Sequence, residues 1–261
     1  MTRPTDYGQG CRHDPKGNPG QPRRFHELMA GSRGLSHAVC RAGCPATSWE
    51  IQDSPFEDVL HHKNRAHLKI QMDHGLIRAL WYGLVCATWS SARRNRKSPY
   101  TGRGWPPPLR DRGRFLWGLP HLSDADRRRV QDANRQARWA FAEFAQAAQR
   151  GIPCVIENPV TSMLWLTAPA LRLLKKYLYI DIDMCAFGAH WKKPTRLLYA
   201  NCDLSSLGAR RCHLRGGLCS FSGAPHLVLT GCSGPKGGFN TNLANCYPKK
   251  LCSEAAKLVC R

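Results

Sequence analysis

Four short stretches of this chain carry residue types that can do chemistry, each where an apolar run gives way to a turn. Glu27-Leu28-Met29-Ala30-Gly31-Ser32-Arg33-Gly34 sets glycines after an expected strand and before an expected helix. Backbone N–H groups there can approach a nucleotide-like ligand. Glu50, in Trp49-Glu50-Ile51, stands 23 positions beyond Glu27. Folds that bind nucleotides place a carboxylate on ribose hydroxyls at about this distance, roughly 20 residues on; an ordinary surface glutamate reads the same way. Cys86, in Gly83-Leu84-Val85-Cys86-Ala87-Thr88-Trp89-Ser90, ends an apolar run and offers an accessible thiolate or, equally, a buried structural thiol. Ile156-Glu157-Asn158-Pro159 puts a carboxylate directly after an apolar strand, where desolvation raises its pKa and suits it to proton transfer.

These groups need elements to hold them. The pattern predicts strands over 25–30, 46–51, 79–85, 154–156, 179–183, 196–199 and 226–231. Helices are expected from Leu35 to Ala42, from the capping box at Ser123 to about Arg150, from Ala168 to Tyr177 and from Leu243 to Leu258. Val130, Ala133, Ala137, Phe141, Phe144 and Ala148 mark the buried stripe of the long one. Strands alternating with helices point to an α/β fold with a mostly parallel sheet covered on both faces. In such sheets ligands bind outside the carboxyl ends of the strands, which is where all four stretches fall.

The 261 residues hold 39 Lys+Arg against 18 Asp+Glu, a formal charge of +21. The excess is local. Residues 25–90 carry six basic and six acidic side chains, whereas 91–138 carry thirteen and four. Such a block fits a phosphate-backbone binder, and a solvated basic face is the plainer reading. Residues 1–24 are expected to be a disordered basic arm, 25–200 the main domain with a basic, Pro-rich exposed loop at 92–123, and 201–261 a Cys-rich C-terminal extension. The longest apolar candidate, Leu76 to Trp89, is broken by Arg78, so no membrane partner is expected, and no secretory signal is visible. An intracellular, reducing location follows as the expectation, nuclear if the source is eukaryotic.

In this order and spacing the four stretches together resemble the catalytic core of the DNA cytosine-5 methyltransferases, within the class I S-adenosylmethionine-dependent methyltransferases. Glu27 to Gly34 is similar to the family's cofactor loop, Glu50 to its ribose-binding acid, Gly83 to Ser90 to its Gly-x-Pro-Cys nucleophile loop, and Glu157-Asn158 to its Glu-Asn pair. Cys185 to Arg196 is similar to a later Arg-bearing stretch. The match covers about residues 25–200 and looks like the methyltransferase-like domains of some mobile-element and protist open reading frames. The resemblance implies a Rossmann-like sheet, with S-adenosylmethionine held by Glu27, Gly31, Gly34 and Glu50. It also implies a nucleic acid partner, DNA in the first place. Cys86 would be the nucleophile, Glu157 the group on the ring nitrogen and Asn158 the loop anchor, while Lys193 or Arg196 would contact base or backbone.

The chain departs from the family at four places. Arg33 replaces a glycine, so its side chain is expected over the methionine end of the cofactor; Val85 replaces the proline that fixes φ before the nucleophile. Pro159 replaces a valine and Lys193 an arginine. These departures sustain a rival reading, a catalytically silent nucleic-acid-binding protein that keeps the fold. A third reading is a zinc-dependent interaction module in the tail, where seven of the thirteen cysteines fall. Cys202, Cys212-His213, Cys219 and His226 contain no Cys-x-x-Cys pair, so no metal ligands are expected among them.

Overall fold

The structure, a computed structural model, describes residues 22–91, 93, 106–208, 210–214, 216–229, 241 and 244–260, and the backbone of 6–7, 232–233 and 238–239. The strands are β1 (Asp6–Tyr7), β2 (Arg24–Leu28), β3 (Ala46–Trp49), β4 (Ile77–Gly83), β5 (Cys154–Pro159), β6 (Leu178–Asp183), β7 (Pro194–Ala200), β8 (Cys232–Ser233) and β9 (Gly238–Phe239). The helices are α1 (Gly34–Arg41), α2 (His62–Asp73), α3 (Asp124–Gln149), α4 (Ala168–Lys176), α5 (Ser205–Gly208) and α6 (Lys249–Val259).

The main sheet runs β1-β3-β2-β4-β5-β7-β6. Strands β3, β2, β4 and β5 are parallel, and β7 lies antiparallel between β5 and β6. The fold is therefore α/β with a mostly parallel mixed sheet. Chain order reverses between β2 and β4, so the crevice outside their carboxyl ends is the topological switch point of the sheet.

Alternation along the strands divides the interior into two apolar layers. Leu28, Leu80, Tyr82, Ile156 and Leu198 pack with α2, α3 and α4 on one face. Phe25, Ala79, Trp81, Val155, Leu197 and Tyr199 pack with α1 and α6 on the other. Near-continuous apolar runs such as Cys154-Val155-Ile156 follow from burial on both sides.

Four expectations change. The arm at 1–24 lies outside the described residues except for the β1 backbone, which pairs antiparallel with β3, and for 22–24, of which Arg24 opens β2. The basic loop is described only at 93 and 106–123; there Arg112, Gly113 and Arg114 are exposed, whereas Leu109 and Arg110 are buried. His226–Leu229 forms no strand, and in the tail β8 pairs with β9 rather than with the main sheet. Helix α2 was not expected, because its buried stripe is only Leu68, Gln71 and Met72 on an otherwise polar segment.

Candidate active site

All four stretches end at the carboxyl edge of neighbouring strands β3, β2, β4 and β5. Odd-numbered positions on β2, β4 and β5 face α1 and α6, so Glu27, Trp81, Gly83 and Glu157 share one face of the sheet. Register sets Glu27 opposite Trp81, and Gly83 opposite Glu157.

Glu27 is buried, and its Oε2 accepts from the Ser36 backbone N–H at 2.7 Å, at the first turn of α1. Burial pushes its carboxyl up to about 7, against the bonds from Ser36. Its Oε1 has no hydrogen-bond partner among the described residues. The glycine loop is tied to β3 by Gly31 N donating to Glu50 Oε2 at 2.7 Å, and Glu50 Oε1 accepts from Gln52 N at 3.0 Å. Gly31 has φ +53, which the absence of a Cβ makes cheap; a Cβ there would meet only Asn245 O, at 3.9 Å. Gly34 lies against Cys252 of α6.

Arg33 does not extend over Gly31. Its guanidinium reaches past the end of β3, donating from Nε to Asp53 Oδ2 (2.9 Å) and from its terminal nitrogens to Ser48 Oγ (3.0 Å) and Glu57 Oε2 (2.8 Å). The expected obstruction of the loop is corrected by these acceptors, which draw the side chain away. The backbone keeps the left-handed shape a glycine would supply, φ 57, at a cost of about 1 kcal/mol that the ion pairs offset.

Cys86 is half-buried, three residues beyond β4. Burial pushes its thiol up, the Lys193 ammonium pulls it down and Glu157 pushes it up again; the pairing of Gly83 with Glu157 sets the start of the Cys86 loop beside that carboxyl. Asn158 is buried, and its Nδ2 donates to Leu84 O at 2.7 Å, anchoring the loop two residues before the thiol. Trp89 N donates to Cys86 O at 3.0 Å. These bonds hold the loop where Val85 leaves φ unfixed.

Glu157 is buried, and its carboxyl is raised by that burial, with Lys193 and the Tyr247 hydroxyl acting in the opposite direction. Tyr247 OH donates to Glu157 Oε2 at 3.1 Å and accepts from Trp81 Nε1 at 3.2 Å. Glu157 Oε1 has no hydrogen-bond partner among the described residues. Lys193, at φ 31, donates from Nζ to Ala244 O at 2.8 Å.

Arg196 is not brought to this point. On β7 it is one residue out of phase with Leu197, so it faces the other side of the sheet from Glu157. Its guanidinium is held there in a two-pronged pair with Asp181 (2.8 and 2.9 Å) over the Tyr179 ring. The alternation decides this, and Arg196 is a cross-strand tie rather than a partner of Cys86.

Two residues escaped the sequence reading. Tyr247 comes from the Cys-rich extension, 90 positions from Glu157, and no local pattern announces it. Arg110 hides inside a basic run. Buried, it stacks 3.4 Å over the Trp89 ring and donates to Thr88 O, Thr88 Oγ1, Leu116 O, Asn134 Oδ1 and Val130 O. All five guanidinium N–H groups are thereby used without a carboxylate. Burial lowers its pKa to about 10.

No family model matches the chain, and comparison with the curated proteins gives no match.

Proposed function

We propose that this chain is a DNA cytosine-5-methyltransferase-like protein using S-adenosylmethionine on a class I methyltransferase fold. The observation that carries the reading is that the Cys86 loop is held against the Glu157-Asn158 pair beside the switch point, by Gly83 opposite Glu157 and Asn158 bonded to Leu84 O, with Glu50 and Gly31 joined at the ends of the adjoining strands. Those groups suit the cofactor. The Glu50 carboxylate, oriented by two backbone N–H groups, keeps lone pairs for ribose hydroxyls, and the uncrowded Gly31 lets a ligand approach the loop.

When bound, the cofactor supplies an electrophilic methyl group. Cys86, as thiolate, adds to carbon 6 of a cytosine swung out of its stack, and carbon 5 becomes nucleophilic. Glu157, whose burial favours the protonated form, would give its proton to the ring nitrogen and so neutralise the electron density that the addition pushes into the ring. Lys193 favours the thiolate, and Asn158 fixes the loop. After methyl transfer, a water molecule would take the carbon 5 proton, the carbon 5–carbon 6 double bond re-forms and the thiolate leaves. The +21 charge supports a polyanionic substrate.

The silent reading draws on the burial that pushes the Cys86 thiol up, against the pull of Lys193. Calorimetry separates the two, since a folded sample without affinity for S-adenosylmethionine sinks the enzyme. A DNA duplex carrying 5-fluorocytosine should form a covalent adduct in the presence of cofactor. Cys86→Ser should abolish the adduct, and an adduct that survives removes Cys86 as nucleophile.

A further inference from the structure

Beyond the edge strand β6 lies a second cluster. Cys185, in the turn after β6, lies with Cys212, Cys219 and His226, and their ligand atoms are all within 4.8 Å of one another. The three thiols are buried and form a small cluster separate from both apolar layers. They are free cysteines, with Cys212 Sγ 3.8 Å from Cys219 Sγ and 3.8 Å from His226 Nε2. A zinc ion with bonds of about 2.3 Å to sulfur sets the edges of its tetrahedron at roughly 3.8 Å. A disulfide would need about 2.05 Å.

We propose that Cys185, Cys212, Cys219 and His226 form a structural zinc site of the Cys₃His type, independent of any methyl-transfer activity. Spacing alone did not point to this set, because it looked for adjacent pairs within the tail. One ligand comes from the turn after β6, and the set contains Cys185 in place of Cys202 and His213. Cys202 instead lies beside Cys154 under β5 and β7.

The surroundings are built for the ion. Cys219 sits in a knuckle closed by its N–H donating to Ala224 O (2.9 Å) and by Gly223 N–H donating to its own carbonyl (2.9 Å). Asp183 Oδ2 accepts from Cys212 N (2.8 Å) and from Arg211 Nε (3.1 Å), fixing the Cys212 backbone to the end of β6. On binding, three thiol protons leave to solvent and the site carries one net negative charge, which the Arg211 guanidinium and the Lys192 ammonium, bonded to Cys212 O, complement.

The segment also has a reason to need an ion. Leu214, Leu218, Phe221, Leu227 and Val228 are exposed, so residues 210–229 bury little apolar surface of their own. Three of the four metal bonds would knit the segment to itself, and the fourth would fasten it through Cys185 to the turn after β6.

Metal analysis of the purified full chain should find one zinc per chain. Titration of metal-free protein with cobalt(II) should reach its end point at one equivalent, with the absorption of a tetrahedral thiolate-bound ion. Cys219→Ser should lose that spectrum, and Cys202→Ser should keep it. A folded wild-type chain that gives no cobalt spectrum overturns the proposal, as does loss of the spectrum in Cys202→Ser with retention in Cys219→Ser. If Cys219→Ser fails to fold, the wild-type end point decides alone.

Discussion

The hydroxyl of Tyr247 donates to Glu157 across 90 positions of chain, and the same oxygen accepts from Trp81. It ties the last helical segment to the floor of the switch-point crevice. Removing it in Tyr247→Phe leaves a buried indole N–H and a buried carboxyl each short of a partner, so stability should fall by about 1–3 kcal/mol in urea titrations. The bond favours the carboxylate, so its loss should also push Glu157 further up and move any pH-rate limb assigned to it upward.

Glu27 makes stability depend on pH in an unusual sense. Its folded pKa of about 7 exceeds the ordinary value of 4.5, so between those pH values the folded state holds the proton more tightly than the unfolded chain does. Stability must therefore fall as pH rises through that window, by about 3 kcal/mol in full. Glu27→Gln, which keeps an acceptor for Ser36 N–H, should flatten this slope. Melting temperatures of both proteins across pH 4.5 to 7.5 test it, and a wild-type slope unchanged by the substitution refutes the assignment.

Arg110 clamps the loop beyond Cys86 to α3 through Thr88, Val130 and Asn134. Arg110→Lys cannot reproduce the planar five-donor fork, so it should destabilise by about 3 kcal/mol rather than rescue. Cys86 should react faster with iodoacetamide in this variant, as read by mass mapping of the labelled peptide.

Lys193 stabilises the Cys86 thiolate. Lys193→Met should raise the thiol pKa further, shifting the pH at which Cys86 alkylation reaches half its limiting rate upward. An unshifted profile would mean that the ammonium does not act on the sulfur.

The strand-end positions of Glu27, Glu50, Cys86 and Glu157 were legible in the sequence, because apolar runs ending in glycine, acid or cysteine mark both the strand and its carboxyl edge. So was helix α3, whose cap Ser123 and stripe from Val130 to Phe144 repeat with helical period. Those signals are local, confined to one turn or one strand.

Tertiary structure alone decided the rest. Arg196 and Glu157 lie within a few residues of aligned motifs, yet strand pairing with β6 and β7 set them on opposite faces. Arg33 keeps the glycine-like backbone only because Ser48, Asp53 and Glu57 converge on its guanidinium. Tyr247, Arg110 and the Cys185–His226 cluster are assembled from separate segments. Composition and periodicity fix which residues are buried along an element, but the contacts among these groups exist only once the sheet order brings distant strands and the last helix together.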